Sequence, residues 1–347
     1  MSGKEIPIAN LYYLLCYAWR HFEESDIVQL DDLEGINRLC DLLGKVLSEG
    51  TFRLIRRGID CGYRDYHENI QGVRGKINVG ETVKQALRAK GQVACNFDEM
   101  SRDILHNQIL RSTLKSLTQV SELNKDIKSS VRSAFNRLSG INCIPLRRQH
   151  FQSITLDRNR RYYRFLLSVC KLIHEQLLVD EHSGDAEFRK INDKKMNKLY
   201  EDFIIEFYRS EQSHYKVNNP GRTICWDHEG TSDIFRSFIP QMKADVILES
   251  RDRRIIMDAK YYSQALSDYY GGKKINSGNL YQLLAYLRNR ESTVPSGVKH
   301  EGLLLYPMVE EPINVDVCLE GFQIRARSID LTQDWDNIYS DMLDLIK

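Results

Sequence analysis

Two short apolar runs near the C-terminus carry the residues best suited to chemistry. The first is Pro240-Gln-Met-Lys-Ala-Asp245-Val-Ile-Leu248 and the second is Arg254-Ile-Ile-Met-Asp258-Ala-Lys260. The polar stretch Glu249-Ser-Arg-Asp-Arg253 between them suits a hairpin turn. A symmetric hairpin centres between Arg251 and Asp252, which sets Asp245 directly opposite Asp258. Opposed positions on antiparallel strands hold their Cβ atoms about 4.5–5.5 Å apart. Lys260, two residues beyond Asp258, shares its face. Two carboxylates at that range repel unless a cation lies between or beside them. A hard divalent cation such as Mg²⁺ suits such an oxygen site. The competing reading is an ordinary solvated Asp-x-Lys face. The flanking Val246, Ile247, Leu248, Ile255, Ile256 and Met257 weigh against it, since continuous apolar runs mark strands buried on both faces.

The elements that must position these residues follow from periodicity and turn signals. Residues 7–20 read as a buried helix with Pro7 near its start. Leu30 to Leu47 reads as an amphipathic helix with Leu33, Ile36, Leu39, Leu43 and Leu47 on one stripe. Thr51 to Val79 reads as strand-rich, with turns at Arg57-Gly58 and near Gly72. Residues 100–120 predict a helix starting near Ser101 with Asp103 in its first turn, and Lys125 to Leu138 a second helix ending at Gly140. Asp157-Arg-Asn-Arg-Arg161 is polar and charge-dense, so it is the expected domain boundary. Beyond it, Tyr162–Leu178 and residues 195–209 predict helices, the second carrying Glu201 and Glu206. A strand near Thr223–Trp226, the hairpin, a polar loop over 263–277, a helix from Asn279 to Tyr286, and strands near Gly302–Tyr306 and Phe322–Ser328 complete the chain. The order predicts an α/β (α+β) fold with a mixed sheet flanked by helices.

Composition excludes several classes. The 347 residues suffice for two domains, and 42% hydrophobic with 28% charged residues is ordinary globular composition. The apolar run Leu11–Trp19 is too short to span a bilayer, so no membrane association is expected. Eight scattered cysteines without a Cys-x-x-Cys pair suit reduced thiols in a cytoplasm. The net charge of +1 hides an asymmetry: residues 1–50 hold 4 Lys/Arg against 9 Asp/Glu, and residues 51–165 hold 22 against 10. Such a basic middle suits phosphate backbones or an acidic partner. Neither Gly72-Val-Arg-Gly75-Lys-Ile nor Gly271-Gly-Lys-Lys274 matches a nucleotide-binding loop.

An acid on one strand and Asp-x-Lys on the next resembles the PD-(D/E)xK nucleases, although Pro240 stands five residues before Asp245 rather than one. The resemblance implies that Asp245 and Asp258 hold Mg²⁺ with the Ala259 carbonyl, and that Lys260 orients or activates water. It implies a further carboxylate from Glu206 or Glu201, with Glu206 slightly favoured. Gln282 matches a Tyr-Gln element of many such nucleases, against the alternative of an ordinary surface helix residue. Across the chain, Ile6–Trp19, Arg56-Arg57-Gly58, Gly72–Ile77, Arg161–Cys170, Asp258-Ala-Lys-Tyr-Tyr262 and Asn279-Leu-Tyr-Gln282 resemble the McrC family. That family supplies the nuclease subunit of McrBC modified-cytosine-dependent restriction systems. The resemblance implies an McrB-like AAA+ GTPase hexamer as partner, which binds the GTP, and double-stranded DNA as substrate. It implies that residues 1–157 dock on and stimulate the GTPase while 158–347 form the endonuclease domain, which stays folded when roughly residues 1–155 are deleted. Double-strand cleavage needs two active sites, so self-dimerisation through the nuclease domain is a further expectation. The alternatives are a non-cleaving adaptor of the GTPase and a stand-alone structure-specific nuclease.

Overall fold

The computed structural model describes residues 6–20, 33, 35–157, 160–179, 186–189, 191–218, 238, 242–261, 266–269, 272–291, 297–309 and 311–347. The expected strand at Thr223–Trp226 lies outside them. The chain divides into two compact units, residues 26–190 and residues 1–25 with 191–347.

The second of these units opens with α1 (Ile8–Ala18), whose N-cap is Pro7. The chain then enters the other unit. There α2 (Leu39–Arg57) is followed by β1 (Gly62–Ile70), β2 (Lys76–Ile77), α3 (Val79–Lys84), β3 (Val93–Ser101), α4 (Leu105–Thr118), α5 (Lys125–Arg137), α6 (Arg148–Ser153), α7 (Arg161–Gln176), β4 (Leu177–Val179) and β5 (Ala186–Phe188). Strands β1, β3 and β2 form an antiparallel sheet with β3 central. Helix α2 begins later and ends later than the Leu30–Leu47 stripe predicts. Its residues Thr51 and Leu54 are buried, the Thr51 hydroxyl donates to the Leu47 carbonyl at 2.7 Å, and Gly58 stops the helix at φ +99°. The strand-rich reading of Thr51–Arg57 is thereby corrected, because the apolar stripe continues at helical spacing past Leu47. Likewise β3 runs through Ser101, and Asp103 sits before α4, where it accepts from Arg64, Gln108 and Asn142.

The expected boundary at 157/158 is also corrected. Helix α7 packs into the middle unit: a Cβ on Gly50 of α2 would lie 2.4 Å from Leu166 Cδ2, and Tyr162 Oη donates to the Gly50 carbonyl at 2.8 Å. Arg160 pairs with Asp60 at 2.7 Å, and Tyr163 Oη donates to Asn107 Oδ1 at 2.9 Å. Polarity before α7 therefore reflects charges with partners inside the unit rather than a linker.

The other unit resumes with α8 (Asp193–Glu211), β6 (Lys216–Asn218), β7 (Val246–Glu249), β8 (Arg253–Ala259), β9 (Leu266–Tyr269), β10 (Gly272–Ile275), α9 (Ser277–Glu291), β11 (Lys299–Pro307), β12 (Asn314–Leu319), β13 (Phe322–Ile329) and α10 (Trp335–Asp344). Six strands form one mixed sheet in the order β12-β13-β11-β8-β7-β6, with β11 parallel to both β8 and β13. Parallel neighbours need a crossover, and α9 supplies it between β8 and β11. Strands β9 and β10 pair as a hairpin within the stretch expected to be loop, since backbone pairing does not require apolar side chains. Alternation along the strands builds two apolar layers. Val246, Leu248, Ile255 and Met257 face α1, α8 and α10, while Ile247, Ile256 and Leu304 face Leu283, Tyr286 and Leu287 of α9. Gly302 lets α9 close on β11, because a Cβ there would lie 2.8 Å from Leu283 Cδ2.

The N-terminal helix is part of this sheet unit. Leu14 and Tyr17 are in its core, Asn10 Nδ2 donates to the carbonyls of Leu331 and Gln333 at 2.9 and 2.8 Å, and Tyr13 stacks on Trp335 at 4.4 Å. Deleting residues 1–155 therefore strips the sheet unit of part of its core, contrary to the expectation of a separable domain. We predict that Leu14→Ala lowers the stability of the sheet unit by roughly 2–5 kcal/mol, measured by urea unfolding followed by tryptophan fluorescence. The same substitution leaves the middle unit's proteolytic resistance unchanged.

Candidate active site

The turn sets the site. Ser250 N–H donates to the Arg253 carbonyl at 2.8 Å, and the ladder pairs Glu249 with Arg254, Leu248 with Ile255, Ile247 with Ile256 and Val246 with Met257. Continued by one residue, this register sets Asp245 across from Asp258. Asp245 Oδ2 accepts the Ala259 backbone N–H at 2.8 Å. Lys260 Nζ lies 2.8 Å from Asp258 Oδ2 and 3.9 Å from Asp245 Oδ2. The Lys260 N–H donates to the Leu305 carbonyl at 3.0 Å, which pins the end of β8 to β11.

Burial governs the electrostatics. The Asp258 side chain is 1% exposed, and neither of its oxygens receives a directed hydrogen bond. The Lys260 contact is an ion pair, which constrains distance more than direction. Burial pushes the Asp258 carboxyl above the ordinary range, opposed by the Lys260 ammonium. Asp245 is pushed up to about 7, first by burial and then by the charge of Asp258, with Lys260 and the Ala259 N–H acting against the shift. The two carboxyls titrate as one pair.

Of the two glutamates on α8, the structure brings Glu201 toward this pair. Burial and then the charge of Asp245 raise its carboxyl, and Lys198 and Lys260 lower it. Glu201 Oε1 accepts from Asn197 Nδ2 at 2.5 Å, and Lys198 Nζ lies 3.4 Å from Oε2. Glu206, the favoured reading from sequence, is instead tied to Arg209, one turn on, and to Arg20 at 3.0 Å. Arg20 stands at the end of α1, so this pairing depends on a contact between distant parts of the chain. Among the described residues, no three His, Cys, Asp or Glu side chains cluster tightly enough to hold a metal ion.

Gln282 reaches the site indirectly. Its Nε2 donates to Tyr286 Oη at 2.7 Å, and Tyr286 Oη donates to the Lys243 carbonyl at 2.9 Å, two residues before Asp245. Burial, then the charges of Asp258 and Asp245, raise the Tyr286 phenol. Tyr286 and Asn197 escaped the sequence reading. Each stands four residues from a residue that it singled out, the spacing of neighbours on one helix face.

The sequence matches the family model described as McrBC 5-methylcytosine restriction system component over residues 8–307. It is 34% identical over 347 residues to the Escherichia coli (strain K12) protein named Type IV methyl-directed restriction enzyme EcoKMcrBC, covering 99% of this chain and 98% of that protein. The chain belongs to the McrC family of McrBC restriction systems. A chain of the assembly of Thermococcus gammatolerans McrB AAA+ hexamers with bound McrC shares the fold, with a TM-score of 0.61 at 16% identity over 98% of this chain and 76% of that one. A chain of the Thermococcus gammatolerans McrBC complex gives 0.45 at 20% identity over 60% of each, too distant to bear on the fold. Among the described residues of this McrC-family chain, no helix is long and apolar enough to cross a membrane.

The Asp245 shift carries a pH prediction. Its folded-state value of about 7 lies above the ordinary 3.8, so this group adds stability at low pH that is lost as pH rises toward and through 7. In metal-free buffer, Asp245→Asn should flatten the fall in melting temperature between pH 5 and pH 8 seen in the unmodified chain. Differential scanning calorimetry across that range checks it.

Proposed function

We propose that this chain is the DNA-cleaving subunit of a modified-cytosine-directed restriction complex, hydrolysing phosphodiester bonds with Mg²⁺ when assembled with an McrB-like AAA+ GTPase hexamer and stimulating its GTP hydrolysis. The observation that carries the reading is the buried Asp245–Asp258 pair with Lys260 at 2.8 Å. The residues fit a divalent cation: both Asp258 oxygens are buried without a directed hydrogen bond, and burial has raised both carboxyls. Asp245 and Asp258 would hold Mg²⁺, aided by the Ala259 carbonyl, while of the two helix glutamates Glu201 is the one electrostatically coupled to Asp245. The ion supplies polarisation of the scissile phosphate and acidification of the attacking water.

The chain's own groups account for the rest. Asp245 is fixed from both sides, by the Ala259 N–H on its carboxylate and by the Tyr286 hydroxyl on the preceding Lys243 carbonyl. Lys260, mostly shielded from water at 14% exposure, holds a positive charge where a phosphate approaching Asp258 gathers negative charge. Gln282 stands at the solvent side of the Tyr286 hydroxyl and orients it. Closely opposed carboxylates on buried strands are costly without a cation, which favours the nuclease over the adaptor reading.

Partner docking falls to the middle unit. Tyr63 on β1 and Met100 on β3 are cross-strand partners, 78% and 66% exposed, and Val73, Val79 and Val83 nearby are exposed as well. Exposed apolar side chains on β1 and β3, in the β1–β2 turn and on α3 mark an interaction surface. The McrB hexamers named with the Thermococcus gammatolerans relative supply its occupant. Self-dimerisation through the sheet unit would provide the second active site that double-strand cleavage requires.

Lys260→Ala should lower the cleavage rate roughly 10²–10³-fold, and Asp258→Asn or excess EDTA should reduce it to background, while GTPase stimulation persists in both variants. Gel cleavage of methylated DNA with partner and GTP, beside a phosphate-release assay, measures this. Wild-type cutting by either variant would refute the assignment. For docking, Tyr63→Asp with Met100→Asp should weaken partner association by about 30-fold, the loss of one interface hot spot, as read by biolayer interferometry, with the melting temperature of the sheet unit unchanged.

A further inference from the structure

Positive charge on the middle unit gathers on its helices. Residues 127–174 hold ten Lys/Arg and a single acid, Asp157. On the sheet side the arginines have acid partners: Arg64 meets Asp103 at 2.6 Å, and Arg74 meets Glu99. Arg160 likewise meets Asp60. Among the described residues, the exposed Arg56, Arg57, Arg132 and Arg137 have no acid within ion-pair distance. Two of them lie over rings instead. The Arg57 guanidinium sits 5.0 Å from the ring centre of Tyr162 on α7, and that of Arg137, at the end of α5, sits 5.2 Å from the ring centre of Phe52 on α2. Phe52 stands one turn before Arg56, and Tyr162 stands next to the exposed Arg161, so α5, α2 and α7 carry one continuous row of cations. A ring face holds a guanidinium by its charge and leaves the N–H edge open to an oxyanion.

Helix dipoles explain only part of the row. Arg56, Arg57 and Arg137 stand in last turns, where the dipole favours a cation, but Arg161 and Arg164 stand at the start of α7, where it opposes one. We propose that this row, from α5 across the end of α2 to the start of α7, is a surface for the phosphate backbone of double-stranded DNA, which it binds without regard to sequence. The proposal rests on the reading of the chain as a DNA-cleaving subunit. A duplex presents one negative charge per about 1.7 Å of axis, and cations laid along it gain free energy by releasing its condensed counterions. Arginine forks match phosphate oxygens two at a time. An acidic protein is the competing occupant. Protein interfaces are built round apolar and aromatic anchors, and among the described residues α2, α5, α6 and α7 expose no large apolar side chain. The exposed Tyr63, Val73 and Met100 belong to the sheet side, so the two surfaces of the unit differ in kind.

Fluorescence anisotropy of labelled methylated and unmethylated duplexes tests this. The full-length chain is assembled with an McrB-like GTPase and carries Asp258→Asn so that the DNA stays whole. Arg56→Gln with Arg137→Gln removes two cations at positions where glutamine keeps the helices. The slope of log affinity against log NaCl should become shallower by about 2, equally on both duplexes. The affinity gap between the parent and this variant should therefore close roughly tenfold from about 50 to 200 mM NaCl. Arg56→Lys with Arg137→Lys keeps the charges and should keep the slope. An unchanged slope in the glutamine variant, or a loss confined to the methylated duplex, overturns the proposal. So does absence of duplex binding by the parent complex. Failure of the folded glutamine variant to assemble with the GTPase assigns the row to a protein and also overturns it. If that variant does not fold, as read by circular dichroism, Arg56→Gln alone decides: a slope shallower by about 1 supports the proposal and an unchanged slope overturns it. Cutting by Asp258→Asn, read on the same samples by gel, would sink the nuclease assignment and leave the slope to decide this surface.

Discussion

Two like charges held across one antiparallel register are the constraint around which the sheet unit is arranged. At about 4 Å and an effective dielectric near 20, such a pair repels by roughly 4 kcal/mol, and no side-chain rearrangement relieves it while the ladder from Val246 to Arg254 stays paired. The turn at Ser250–Arg253 fixes that ladder, so a tight hairpin determines the separation of the acids. Lys260 offsets part of the repulsion, and a proton shared by the pair offsets more when no cation is present. The cover over the pair is equally specified. Gly302 allows α9 to lie against β11, and α9 then brings Tyr286 into the field of the pair and ties it to the chain two residues before Asp245.

A second buried carboxylate in the same sheet shows what a purely structural arrangement looks like. Glu301 on β11 is 1% exposed, yet Arg253 meets it with two hydrogen bonds at 3.0 and 2.9 Å, Lys299 lies 2.7 Å away and Arg325 3.4 Å. Burial raises its carboxyl, but the Arg253 and Lys299 hydrogen bonds outweigh this and hold it below the ordinary range. Arg253 also donates to Tyr215 Oη and to the Ile346 carbonyl at 3.1 Å each, which fastens the C-terminal end of the chain to the sheet. Asp258 has the same burial, one cation and a neighbouring acid, and its carboxyl moves the opposite way. Satisfied, Glu301 is finished as a structural element. Asp258 has a single cation, Lys260, where Glu301 has three, and burial prevails at its carboxyl.

The hairpin was legible because an antiparallel register is a sum of residue numbers, and the polar turn betrayed its midpoint. The choice between Glu201 and Glu206 was not. Both face inward from α8, and what separates them is Arg20, which reaches Glu206 only because α1 packs on the sheet unit. The apolar stripe over Leu39, Leu43 and Leu47 revealed α2, but the same period continues through Thr51 and Leu54, where β-branched and polar residues disguised it. The charges at 157–161 resembled a linker because sequence shows charge and not its partner: Arg160 has Asp60, about a hundred residues away. Asn197 and Tyr286 carried no signal of their own, since an amide or phenol on a helix is ordinary until the strand end it bonds is known.

The chain leaves and re-enters the sheet unit between two of its helices. Helix α1 and helix α8 belong to the sheet unit, and residues 26–190 leave and return between them. The middle unit is therefore an insertion, joined by two crossings of the chain rather than one. Arg20 at the end of α1 pairs with Glu206 on α8, and Glu201 lies little more than one helical turn back along that helix. Helix α8, to which Arg20 ties the end of α1, thus carries both glutamates that the sequence singled out and is also the helix reached by the returning chain.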